Sequence, residues 1–204
     1  MQRQLFLLSV LLCGPALLLA GPPLICHPID IGTAKSLPWR AGVQGWDGAD
    51  PAYDTRRVLD DTLTLLSSAA PLTLRMETLR RAAIYVARHD ALAHEISARL
   101  LARTLDSETA GKPDPLAWFD AGYWAETLRQ VTYIYRYDML TPAERTAWKL
   151  RGDRASVDGY PWVRRAQQLA GARSPLALSM DDALGRMEEY RQADRKITTA
   201  STTR

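Results

Sequence analysis

From residue 54 onward, apolar side chains recur every three or four residues, the spacing that gathers them on one face of an α-helix. Pro and Gly residues interrupt this period and divide it into separate helices. No stretch alternates apolar and polar residues with enrichment in Val and Ile, so we expect essentially no sheet. The pattern predicts an all-α fold of antiparallel helix pairs, a helical bundle or a short repeat-like array, with helices near residues 54–66, 73–86, 90–106, 115–137, 141–151, 162–171 and 179–196.

Polar residues indicate where several of these helices begin. Asp54, Asp90 and Asp114 each precede a helical segment and are of the type that caps a helix N-terminus. Residues 141–144, Thr-Pro-Ala-Glu, have the form of a capping box, in which the first and last side chains bond to each other's backbone amides. Residues 179–182, Ser-Met-Asp-Asp, indicate the start of the last helix.

The segment before the helices has a different composition. Residues 21–53 contain several Pro and Gly residues, which break helices, together with apolar side chains too numerous for a free linker. We expect an extended arm that lies on the helical domain 54–196, with Trp39 and Trp46 as its anchors because an indole buries a large area. The polar residues 197–204 are expected to form a disordered tail.

The first twenty residues have the order of a secretory signal peptide. Arg3 precedes an apolar run that is interrupted by Gly and Pro, and Ala20 provides a small residue for cleavage. The run is shorter than the roughly 20 residues that span a bilayer, although a retained N-terminal anchor stays an alternative. We therefore expect export to the periplasm or the exterior, with membrane contact only through the signal peptide before its removal.

Cleavage would also change the cysteine content. The chain has two Cys residues, and removal of residues 1–20 takes Cys13 and leaves Cys26 without an internal disulfide partner. Three interpretations stay open for Cys26, namely a small buried apolar side chain, an intermolecular bridge and a metal ligand.

Two segments share a short motif. Leu79-x-x-Ala82-Ala83-Ile84-Tyr85 and Trp118-x-x-Ala121-Gly122-Tyr123-Trp124 each place small residues one turn after a large one, which lets a second helix approach closely. The motif resembles the helix pairs of tetratricopeptide and HEAT arrays, in which neighbouring pairs stack. The arm followed by such helices is also similar to exported bacterial all-helical proteins of unassigned activity, which implies a compartment and a fold and no reaction.

The densest group of aromatic residues lies near the predicted helix 115–137. These side chains cannot all lie on one face, so we expect some to be exposed or covered by a neighbour such as the arm. Exposed aromatic side chains beside Arg residues suit a peptide, a glycan or a protein partner, and we expect a protein or peptide. The candidate binding residues are Trp118, Tyr123, Trp124, Arg129, Tyr133, Tyr135, Arg136 and Tyr137.

A metal site is the alternative. Asp90 and His94 are four residues apart and would share a helix face, as metal ligands on helices often do. His89 lies beside them, and Cys26 with His27 would complete a ligand set if the arm lay over this hairpin. A surface cap and solvated side chains explain the same residues, and the spacing matches no zinc signature.

Composition and the absence of known motifs reduce the number of function classes that fit this sequence. The chain of 204 residues carries 26 Lys and Arg against 23 Asp and Glu, and a net charge of +3 gives no indication of nucleic-acid binding. No nucleophile elbow, phosphate loop or haem motif is present, so we expect no cofactor and favour a protein that is not an enzyme. We expect an exported scaffold or partner-binding module of the cell envelope; a metal protein and a membrane-tethered structural protein are the alternatives.

Overall fold

The regular secondary structure is helical. The computed structural model describes residues 22–43, 45–67, 69–137 and 157–202, and the described part contains no strand, only an isolated β-bridge between Trp39 and Ala49. The all-α prediction is therefore confirmed. The described residues form seven α-helices, which are α1 Pro23–Cys26, α2 Val58–Leu65, α3 Leu72–Tyr85, α4 Asp90–Thr109, α5 Pro115–Tyr137, α6 Tyr160–Ala170 and α7 Pro175–Thr202. A 3₁₀ turn, Thr55–Arg57, precedes α2.

Two of the expected caps are present. The Asp54 side chain accepts a hydrogen bond from the amide of Arg56 at the 3₁₀ turn. The Asp114 Oδ1 accepts one from the amide of Leu116, 2.9 Å away, at the start of α5. These bonds satisfy amides that have no partner within the helix itself, which is why the bounds of α5 agree with the sequence pattern.

Other expected helix ends were wrong. Asp90 is the first residue of α4 rather than its cap, and the cap position belongs to His89, whose side chain makes no capping bond. The last helix begins at Pro175 rather than near 179–182, because Ser174 Oγ accepts from the amide of Ala177 at 3.0 Å. That helix continues to Thr202, across most of the expected tail 197–204. The signal peptide 1–20 and the capping box 141–144 lie outside the described residues.

Helix α5 occupies the centre of the fold and packs against α1, α3, α4 and α6, while α6 also packs against α7. The α5–α6 crossing is close because glycines face each other. A Cβ atom at Gly159 would lie 2.0 Å from the carbonyl oxygen of Gly122. The small residues of the Trp118–Trp124 motif thus admit a neighbouring helix, as expected, and that helix is α6.

The arm docks on the chain's own helices, and it is not extended throughout, because Pro23 starts the short helix α1 at a position that a helix tolerates. Helix α1 contacts α3, α5 and α7, and the arm side chains Leu24, Ile25 and Leu37 are at most 1% exposed. Trp39 and Trp46 also pack against the core but stay partly exposed, so the aliphatic residues are the more deeply buried anchors. None of the described helices combines the length and apolar character needed to cross a membrane.

Candidate functional site

A buried group of charges joins the arm to α3. Glu77 and Arg80 are both fully buried, and the Arg80 Nε and Nη2 atoms donate to the two carboxylate oxygens of Glu77 at 2.7 and 2.8 Å. Arg81 Nε donates to Glu77 Oε1 at 2.7 Å, and the arm amide of Ile29 donates to Oε2 at 3.0 Å. Burial alone would raise the pKa of Glu77, but these donors together outweigh burial and lower it.

The same two arginines hold the arm's backbone carbonyls. Arg80 Nη1 donates to the carbonyl oxygens of Ile25 and Gly45 at 2.9 and 3.0 Å, and Arg81 Nη1 donates to that of Leu37 at 2.6 Å. The Arg80 guanidinium also lies 4.8 Å from the centre of the Trp39 ring. Most of the described arm residues lie outside helix α1, so their buried backbone atoms need partners, and these hydrogen bonds supply them.

A second buried ion pair connects α3 to α5. Arg75 and Asp120 are both fully buried, and Arg75 Nη1 lies 2.5 Å from Asp120 Oδ2. Arg103 of α4 approaches the same oxygen at 3.6 Å. Burial raises the pKa of Asp120 to about 6, although Arg75 and Arg103 oppose the rise. This second group pairs charges from three helices and so holds α3, α4 and α5 together, whereas the charges around Glu77 all belong to α3 and reach the arm through its backbone.

A third group of buried charges lies on α5, beside Tyr190 of α7. Glu126 is fully buried, and Arg129 donates to it while the Arg129 guanidinium lies 4.9 Å from the centre of the Tyr190 ring. Burial raises the pKa of Glu126 despite this partner. Arg129, a candidate binding residue, therefore packs between helices and is largely removed from solvent.

The structure does not assemble the five candidate metal ligands. Cys26 ends α1 and is partly buried, while His27 is exposed on the arm. His89, Asp90 and His94 lie at the start of α4, where both histidines are exposed. No three His, Cys, Asp or Glu side chains in the described residues are arranged to hold a metal ion. Burial raises the pKa of the Cys26 thiol, against the charge of Arg80, so the thiol form is favoured over the thiolate that binds metals.

Two of the aromatic candidates are part of the core. Tyr123 is fully buried, and Trp124 is 2% exposed and donates its Nε1 hydrogen to Ser97 Oγ at 2.8 Å. The expectation that they face a partner was wrong, because α3, α4 and α6 enclose the middle of α5 on several sides. The side chains of Tyr133, Tyr135, Arg136 and Tyr137 lie outside the described part of the chain.

Trp118 keeps a partly exposed position near the start of α5. Its indole ring meets that of Trp162 of α6 edge-on, with ring centres 6.4 Å apart. Its Nε1 atom donates to Glu108 Oε1 of α4 at 2.8 Å, and Arg165 of α6 lies 3.8 Å from the same oxygen. We call these four residues, from three helices, the Trp118 surface. The sequence pattern did not indicate Trp162 as part of the site, because it belongs to another helix and only the packing of α6 on α5 brings it to Trp118.

Comparison with protein-family models, with curated proteins and with solved structures gave no match.

Proposed function

We propose that the protein is an exported, non-enzymatic binding module that holds a protein or peptide partner at the Trp118 surface. The observation that carries the proposal is the fixed, partly exposed pair of indole rings of Trp118 and Trp162. Trp and Arg are the residue types most enriched among those that dominate binding energy at protein interfaces. The hydrogen bond to Glu108 holds the Trp118 ring in place before a partner arrives, which lowers the entropy lost on binding.

The charges at this surface support a specific orientation of the partner. Glu108 and Arg165 present opposite charges, and Arg165 keeps 46% of its side chain exposed. An apolar centre beside opposite charges is the common arrangement of a small protein interface. We infer that the partner inserts an apolar side chain against the indole rings and places polar groups near the two charges.

Site-specific crosslinking in intact cells tests the proposal. A photoreactive residue in place of Arg165 is expected to give a discrete adduct, which the additional change Trp118→Ala abolishes while the protein stays folded. The same photoreactive residue in place of Leu178, an exposed side chain on α7, is the matched control and should give no such adduct. Equal adducts at both positions, or an adduct that survives Trp118→Ala, would contradict the proposal.

Export is a separate part of the proposal and rests on the leader-like residues 1–20. Mass spectrometry of the protein recovered from the producing cells measures the N-terminus directly. We expect it to begin after Ala20. A protein that keeps Met1 would contradict export with cleavage, and recovery of that protein from the membrane fraction would favour the membrane-tethered alternative.

A further inference from the structure

The outward face of α4 carries two leucines that the fold leaves in solvent. Leu101 is 39% exposed and Leu105 is 54% exposed, whereas Ile96 and Leu100 of the same helix are at most 1% exposed. The two leucines are four residues apart and therefore lie next to each other on the helix surface. Ala102 lies between them in sequence and is exposed as well, so this part of α4 offers a small apolar area to solvent.

Opposite charges flank this apolar area. Arg99 and Asp106 are both exposed and are seven residues apart, which places them about two turns from each other on the same side of the helix. At about 100° per residue, both lie on one side of Ala102, while Leu101 and Leu105 lie on the other side. Among the residues that the structure describes, neither Arg99 nor Asp106 has an ion-pair partner.

The face is complementary to itself. If a second α4 helix runs antiparallel and crosses near Ala102, a two-fold axis there brings Arg99 of one copy to the height of Asp106 of the other. The same axis brings Leu101 of one copy beside Leu105 of the other. The two-fold axis places the charged side of one α4 helix next to the charged side of the other, and the leucine sides likewise meet. The Arg99–Asp106 and Leu101–Leu105 contacts therefore each occur twice.

We propose that two copies of the protein associate through α4, packed antiparallel about Ala102, with Leu101–Leu105 contacts on one side of the axis and Arg99–Asp106 ion pairs on the other. The argument for a second copy is this match of charges: in the antiparallel pair Arg99 and Asp106 meet, whereas a parallel pair would bring like charges to the same height. Contact through about three turns of one helix is small for a stable interface, so the dimer is expected to be weak and reversible. The inference does not depend on the proposed Trp118 surface.

Sedimentation equilibrium of the purified protein, extended to high protein concentration, tests the dimer through a charge swap. Arg99→Asp and Asp106→Arg each place like charges across the interface, and each is expected to raise the dissociation constant of the dimer about tenfold. The double variant restores opposite charges and is expected to return the constant close to that of the unchanged protein. Added salt should weaken association of the unchanged protein, since exposed ion pairs are screened.

Two further variants distinguish the proposed leucine contacts from non-specific hydrophobic association. Leu105→Glu is expected to abolish association, whereas Leu178→Glu, which alters an exposed leucine of α7, should leave it unchanged. All substituted side chains are exposed, and circular dichroism checks that each variant folds. A protein that stays monomeric at every concentration overturns the inference. So does a dimer that the single charge reversals leave intact, or one that the double variant fails to restore.

Discussion

Replacement of Glu77 by Gln tests how the arm is held. The carboxylate accepts two hydrogen bonds from Arg80, one from Arg81 and one from the amide of Ile29. A Gln side chain offers one oxygen, and its NH₂ group would face guanidinium donors. The Arg80 guanidinium, which is fully buried, would lose its counter-charge.

The loss is expected to be large. Removing one partner of a buried ion pair costs about 3–5 kcal/mol, because the remaining charge stays buried without compensation. A domain of this size is stable by only about 5–15 kcal/mol, so Glu77→Gln is expected to remove a substantial part of the free energy of unfolding. Asp182→Asn is the control, since Asp182 forms a surface ion pair with Arg186 and is 62% exposed; that change should cost less than about 1 kcal/mol.

Urea denaturation measures both free energies, and hydrogen exchange at the Ile29 amide reports whether the arm still docks. We expect faster exchange at Ile29 in Glu77→Gln only.

Because the folded-state pKa of Glu77 is lowered, its stabilising effect is present at neutral pH and is lost as the pH falls through that pKa. The advantage of the unchanged protein over Glu77→Gln should therefore shrink in acid. A cost below about 1 kcal/mol at neutral pH, with Ile29 still protected, would refute this reasoning.

Two further predictions concern the central helix. Gly122→Ala is expected to destabilise the fold by about 2 kcal/mol or more, because its Cβ would lie 2.8 Å from the Gly159 carbonyl oxygen. Gly185 lies in open space on α7, so Gly185→Ala should stabilise the fold by up to about 1 kcal/mol. Thermal unfolding compares the two variants, and equal effects would contradict the close crossing of α5 and α6. Asp120 has a folded-state pKa raised to about 6, so the folded protein takes up this proton before the unfolded one as the pH falls. The free energy of unfolding of the unchanged protein relative to Asp120→Asn should rise by up to about 3 kcal/mol between pH 7 and pH 4, and a fall would contradict the assignment.

Helical periodicity predicted the fold class and the bounds of α5 because both depend on local sequence. The Asp114 side chain and the run of apolar residues that follows it specify where α5 begins without reference to other helices. The start of the last helix was less predictable. Ser174 and residues 179–182 are both reasonable caps, and packing of Ala177 and Met180 in the interior accompanies the earlier start.

The candidate site was predicted less well because it depends on which helices enclose α5. Tyr123 and Trp124 have the same residue types as a binding surface, and only the placement of α4 and α6 shows that they belong to the core. The buried charges were missed for a related reason. Glu77 and Arg80 are three residues apart, a spacing typical of a solvated helix surface, and their burial follows from the arm that covers them.

Hydroxyl-radical footprinting compares Trp118, the proposed partner-binding indole, with Trp124, an indole of the core, in one experiment. In the purified protein, Trp118 is expected to be oxidised and Trp124 to be protected, in keeping with their exposure. In intact cells that contain the partner, Trp118 should become protected as well, and Trp124 should not change. Equal oxidation of Trp118 in both settings would contradict the account.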